Sequence, residues 1–130
     1  MMRIHEDPGH AWLEVARERV LASGTLYLMS DCSHASRDGA TLYLEEDCDL
    51  TVFMAAYARQ LGQHPHEVLR SIPTTFHQND APCRSLPRLV NPRRPSDAAL
   101  WAARRSAGEA FAAPLKSSAP PADTSLEGRS

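Results

Sequence analysis

Three cysteines stand in this chain, Cys32, Cys48 and Cys83, and no two of them form a CxxC pair. An odd count without paired spacing offers no motif for zinc or redox work, and reduced thiols are the simplest expectation. No apolar run follows Met1-Met2, so no signal peptide is expected, and no window approaches the ~20 apolar residues that span a bilayer. A cytoplasmic protein without membrane attachment follows as the expectation. Also missing are a Gly-rich phosphate loop, a GxSxG elbow and a helical pair of histidines, which leaves nucleotide-binding and hydrolase signatures without support.

What is present divides unevenly. The chain has 130 residues and ten prolines, six of which fall between Pro87 and Pro121. Charge divides at the same place. Residues 1–86 carry seven Arg against twelve Asp and Glu, while residues 87–130 carry seven Lys and Arg against four acids. The formal net charge of −2 therefore hides an acidic body and a basic tail. An acidic body repels nucleic-acid phosphates, which argues against nucleic-acid binding through it. The tail pairs Arg93-Arg94 and Arg104-Arg105 are cationic enough to touch phosphate or an acidic partner, but clusters this small usually only solubilise.

Hydrophobic patterning supplies the elements. Ala11 to Val15 reads as a strand, after a turn at Pro8-Gly9. Ala16 to Ser23 reads as a short helix closed by Gly24. Residues 29–36 and 40–46 read as a hairpin around Asp38-Gly39, although Leu26 to Ser36 is itself ambiguous. The clearest element is a helix from Asp49 to Leu61, in which Leu50, Phe53, Met54, Tyr57 and Leu61 share one face. Asp47 or Asp49 caps it, and Gly62 ends it. Glu67 to Thr75 reads as a strand ending near Pro73, with a short helix from Pro65 as the rival.

The order β-α-β-β-α-β implies an α+β domain, a small two-layer sandwich over residues 1–90 that matches the ferredoxin-like split motif. Residues 91–130 are expected to be a disordered Pro/Ala/Ser-rich tail, with a transient helix at 97–111 anchored by Leu100 and Trp101.

Two segments carry candidate chemistry. His5-Glu6-Asp7-Pro8-Gly9-His10 precedes the first strand, and Glu45-Glu46-Asp47-Cys48-Asp49 joins a strand to the main helix. Together they hold two imidazoles, six carboxylates and one thiol, which converge at one end of the sheet if their strands are neighbours. Such a set suits Mn²⁺, Fe²⁺ or Zn²⁺, with His5, Asp7, His10, Glu46 and Asp47 as ligands, and a bound metal activates water. The plainer reading makes Asp7-Pro8-Gly9 a turn, with Gly9 supplying positive φ, and makes the acidic run a helix start. No cofactor is expected on the plainer reading, and a divalent metal is the one the first reading would add. Alternation along the strand places Glu45 on the exposed face with Tyr43. It sends Glu46 toward the core rim, where Arg84, Arg3 or His10 is its partner, and leaves Glu45 and Asp47 free.

The run from His5 to Val15, with Asp7-Pro8-Gly9-His10 and Trp12 at its centre, and the run Tyr43-Leu44-Glu45-Glu46-Asp47-Cys48-Asp49 resemble a group of small proteins of phages, plasmids and other bacterial mobile elements. A short stretch near the end of the core, Asp80 to Arg84 here, resembles its third motif. Cys83 departs from the apolar residue expected there. The resemblance covers residues 4–86 and implies a bacterial or phage setting, with no activity attached. An accessory protein that binds a host or phage protein, such as a defence or DNA-handling protein, is the leading expectation. His5, Asp7, His10, Trp12, Glu45, Glu46, Asp47, Asp49 and Arg84 are its candidate binding residues. A small metal-dependent hydrolase using the same two clusters is the alternative.

Overall fold

Asp7 closes the turn between the first two strands, its side chain accepting the N–H groups of Gly9 and His10. A computed structural model describes residues 1–115. In it β1 (Arg3–Glu6) and β2 (Ala11–Ala16) pair antiparallel, with His5 opposite Trp12. β1 was not foreseen from the sequence, because its four residues show no apolar alternation. β2 runs into α1 (Arg17–Ala22), followed by a 3-10 turn at Leu26–Leu28. β3 (His34–Ala35) and β4 (Thr41–Glu45) form the expected hairpin, but β3 keeps only two residues because the chain before it is held by Asp49 instead of a strand partner.

The main helix, α2 (Leu50–Leu61), lies where its periodicity places it and ends at Gly62, whose φ of 68° suits a residue without Cβ. The alternative reading at Pro65 is the correct one. α3 (Pro65–Arg70) starts with proline in its first turn and is capped by His64 and Glu67, and only then does β5 (Thr74–Phe76) begin. A second 3-10 turn, Pro82–Ser85, precedes α4 (Asp97–Ala112).

The five strands order as β3-β4-β2-β1-β5, all antiparallel neighbours except the parallel pair β1 and β5. The α+β class therefore holds. The expected β-α-β-β-α-β order does not, since a hairpin opens the chain and two helices separate β4 from β5. The helices cover one face of the sheet. Leu13, Val15, Leu42 and Leu44 are buried there with Leu50, Phe53 and Met54 of α2.

α2 is apolar on more than the expected stripe. Val52, Ala55 and Ala58 are buried as well, whereas Leu61 is 48% exposed. The reason is α4, which packs against α2 and α3 and so gives α2 a second covered side. Leu100 and Ala107 are buried, and Ala103, Ala110 and Phe111 extend the same face onto the core. The boundary at residue 90 thus falls inside the packed structure, and the helix expected at 97–111 is an integral part of it. Trp101, taken as an anchor, is 68% exposed. The part of the expected disordered tail from residue 116 onward lies outside the described residues. No helix among the described residues is long and apolar enough to cross a membrane.

Candidate metal centre

The β2–β4 pairing places Trp12 opposite Glu45, so the turn before β2 and the turn after β4 meet at the same end of the sheet. Glu46 extends that ladder by donating its N–H to the Ala11 carbonyl at 3.0 Å. This is the convergence the sequence suggested, but with a different membership.

Four groups come together. His10 Nδ1 lies 2.9 Å from Glu45 Oε2, 3.7 Å from Asp47 Oδ2 and 4.0 Å from Glu46 Oε1. One ligand atom from each of the four residues lies within 4.8 Å of all the others. Glu45 is the inner member, with its residue only 7% exposed, while the Glu46 and Asp47 side chains are open to solvent. The expected arrangement of Glu45 and Glu46 is therefore reversed. Strand alternation does put Glu45 on the face with Tyr43, but that face is itself covered at this end, so the residue on it is buried. Glu46 lies past the end of β4 and faces solvent.

The Glu45 carboxylate is held on one side only. Its Oε1 accepts the Asp47 N–H at 2.9 Å. Its Oε2 is shielded from solvent and makes no hydrogen bond among the described residues, although His10 Nδ1 stands 2.9 Å away. A buried carboxylate oxygen left in this state is costly unless a cation reaches it. Partial burial, together with the charges of Asp47 and Glu45, pushes the Glu46 carboxyl above its usual range. Three carboxylates crowded against one imidazole thus repel one another, and a cation relieves that repulsion.

The other expected site residues do different work. Asp7 is fully committed: Oδ1 accepts the N–H groups of Gly9 and His10 at 2.9 Å, and Oδ2 accepts that of Ala81 at 2.8 Å. Arg84 completes a two-pronged pair, with Nε at 2.7 Å from Oδ2 and Nη2 at 3.0 Å from Oδ1. That guanidinium, helped by the backbone donors, holds the Asp7 carboxyl well below the usual range. Arg84 also stacks over Trp12, 4.7 Å from the ring centre. Gly9 does not take positive φ as the turn reading expected. It is needed for close approach, because a Cβ there would come within 2.8 Å of Arg84 Nη2.

Through this pair the Pro82–Ser85 turn is clamped over the second face of the sheet, where Trp12, Ala81 and Cys83 form a small buried cluster. Cys83 acts there as an apolar residue, its thiol pushed up to about 11 chiefly by burial. Asp7, Trp12 and Arg84 accordingly build the wall behind the candidate site and do not enter it.

Asp49 is likewise structural. It stands at the start of α2 but caps no helix N–H with its side chain. It accepts instead from Ser30 N–H at 2.9 Å, Ser30 Oγ at 3.0 Å and Ser33 Oγ at 2.6 Å, which ties the loop before β3 to the helix start. Burial pushes its carboxyl upward, and the serine donors oppose that.

His5 belongs to a separate group. Its Nε2 contacts Glu14 Oε1 at 2.7 Å and its Nδ1 contacts His77 Nε2 at 3.1 Å, with the two imidazoles stacked. Glu14 was within reach of a sequence reading, as it sits two residues from Trp12 on the same face. His77 lies 72 positions away and no local signal announces it. No family model matches the chain, and no curated protein or solved structure is significantly similar to it.

Proposed function

We propose that the protein binds a divalent transition-metal cation through His10 Nδ1 and the carboxylates of Glu45, Glu46 and Asp47. The observation that carries the proposal is the buried Glu45 Oε2, which makes no hydrogen bond and faces the His10 ring at the centre of that set. A mixed imidazole and carboxylate environment favours Mn²⁺, Fe²⁺ or Zn²⁺ over Mg²⁺, which prefers oxygen ligands and retains several waters. Glu45 is the inner ligand, fixed by the Asp47 N–H, while Glu46 and Asp47 lie on the solvent side. Glu45 would hold the cation from the buried side, with His10, Glu46 and Asp47 on the solvent side, and a metal bound there would supply a Lewis acid able to activate water for hydrolysis.

A calorimetric titration of the full chain with Mn²⁺, Zn²⁺ and Mg²⁺, repeated on His10→Ala, tests this reading. Saturable binding of one Mn²⁺ or Zn²⁺ with a raised melting temperature is expected, and at least tenfold weaker binding in the variant. Absence of heat and of thermal shift with all three ions would leave the turn and helix-start reading of these residues in place.

A second reading, an accessory protein of a bacterial mobile element that binds a host or phage protein, draws on a different observation. The Asp47 side chain is 72% exposed and Glu46 stands beside it, so a solvent-facing carboxylate pair is free to meet a cationic partner surface. On this reading Glu46→Gln with Asp47→Asn weakens partner capture while Glu45→Gln does not. The two readings therefore separate on the buried residue.

A further inference from the structure

Cys32 and Cys48 belong to different segments, the loop ahead of β3 and the turn ahead of α2, yet their sulfur atoms stand 2.7 Å apart. Both thiols are free and half-buried, whereas the third, Cys83, is buried in the Trp12 cluster. The pairing follows from the Asp49 anchor. Ser30 and Ser33 flank Cys32 and both bind Asp49, the residue after Cys48, so the two segments are held together by contacts that involve neither sulfur. A disulfide bond has sulfurs roughly 2.0 Å apart, and closure from this separation is within the reach of side-chain rotation.

We propose that Cys32 and Cys48 are a reversible dithiol–disulfide couple, oxidised by a hydroperoxide and reduced by a small dithiol. In the first step one thiol sulfur attacks the peroxide, the O–O bond breaks, and a sulfenic acid and an alcohol or water are formed. In the second the other thiol attacks the sulfenic sulfur, the S–S bond forms and water leaves. Two thiols lose two electrons and two protons, and the peroxide is reduced. The bond closes a loop from residue 32 to residue 48 and pins the turn that carries Glu46 and Asp47. The couple does not rest on the cation reading, since no proposed ligand takes part in it.

The experiment uses the full chain, treated with a small excess of hydrogen peroxide, unfolded, alkylated and weighed before and after trypsin. Cleavage after Arg19, Arg37 and Arg59 separates the two cysteines into peptides 20–37 and 38–59, which only a disulfide holds together. The linked pair is expected, with one alkylated cysteine per chain instead of three and a mass lower by about 2 Da before alkylation. Dithiothreitol should restore three alkylated cysteines. The oxidised protein should also melt several degrees higher, and Cys32→Ser should abolish that shift. Three alkylated thiols after peroxide, sulfinic acid at Cys32 or Cys48 without the linked peptides, or a link to Cys83 or between chains would overturn the proposal.

Discussion

On the helix-covered face of the sheet, Leu13, Val15, Leu42 and Leu44 lie fully buried against α2. On the opposite face the same two strands present Trp12, Glu14, Tyr43 and Glu45, and β1 adds His5. The first face is held by area removed from water, a force without direction that tolerates many sequences of the right period. The second is covered in part by the Pro82–Ser85 turn, which is tied down by a charged pair with shared backbone donors, by hydrogen bonds of Leu86 and Pro87 to β3, and by a small apolar cluster around Trp12. One face makes the protein fold. The other, less apolar and more finely positioned, is where buried charge gathers and where the candidate site lies.

This contrast predicts a graded set of effects. Phe53→Ala, at a fully buried position on the helix-covered face, should destabilise by about 3–5 kcal/mol in chemical denaturation. A loss below about 1 kcal/mol would mean that α2 does not carry the core. Leu100→Ala should cost roughly 2–4 kcal/mol, because it empties the contact between α4 and the core. Equal stability of that variant and the parent would return α4 to the status of a loosely attached tail.

On the polar face, Arg84→Ala should cost about 1.5–3 kcal/mol, the range for hydrogen bonds to a charged group. The pair also predicts an acid dependence. The folded state holds Asp7 in its charged form below the ordinary carboxylate range, so this contribution is full above the unfolded value of about 3.9 and is lost as pH falls below it. Asp7→Asn should flatten that part of the stability profile between about pH 5 and pH 2, measured by denaturation at each pH. Smallest of all, Trp101→Ala should change stability by less than about 0.5 kcal/mol, since its ring is largely in solvent.

Legibility in the sequence follows the same division. The strand at Ala11, the hairpin at Asp38-Gly39 and the helix from Leu50 could be read because period and turn chemistry are local signals. β1 and β5 could not, since four and three residues carry too little pattern and are strands only through their pairing. The meeting of the His10 and Glu45–Asp47 segments was legible once β2 and β4 were taken as neighbours. The burial order of Glu45 and Glu46 was not. It depends on neighbours that only the fold brings up, Trp12 across the ladder, the His10 ring and Ser33, whose Oγ accepts the Glu45 N–H, and the Asp7–Arg84 pair on the same face joins residues 77 positions apart. His5 was drawn away by His77 for the same reason. Long-range ion pairs leave no periodic trace, so a polar face is read from sequence far less well than an apolar one.

The centre of the functional reading is that Glu45 is buried in order to hold a cation, and comparison of Glu45→Gln with the parent tests it most directly. The measurement is the Mn²⁺ affinity of both proteins by calorimetry at neutral pH, with the stability of each in the absence of metal as the control. Expected is one site in the parent, at least tenfold weaker binding in Glu45→Gln, and little change in metal-free stability, because the amide keeps the shape and can still accept the Asp47 N–H. Equal affinity in the two proteins, or no binding in either, would contradict it.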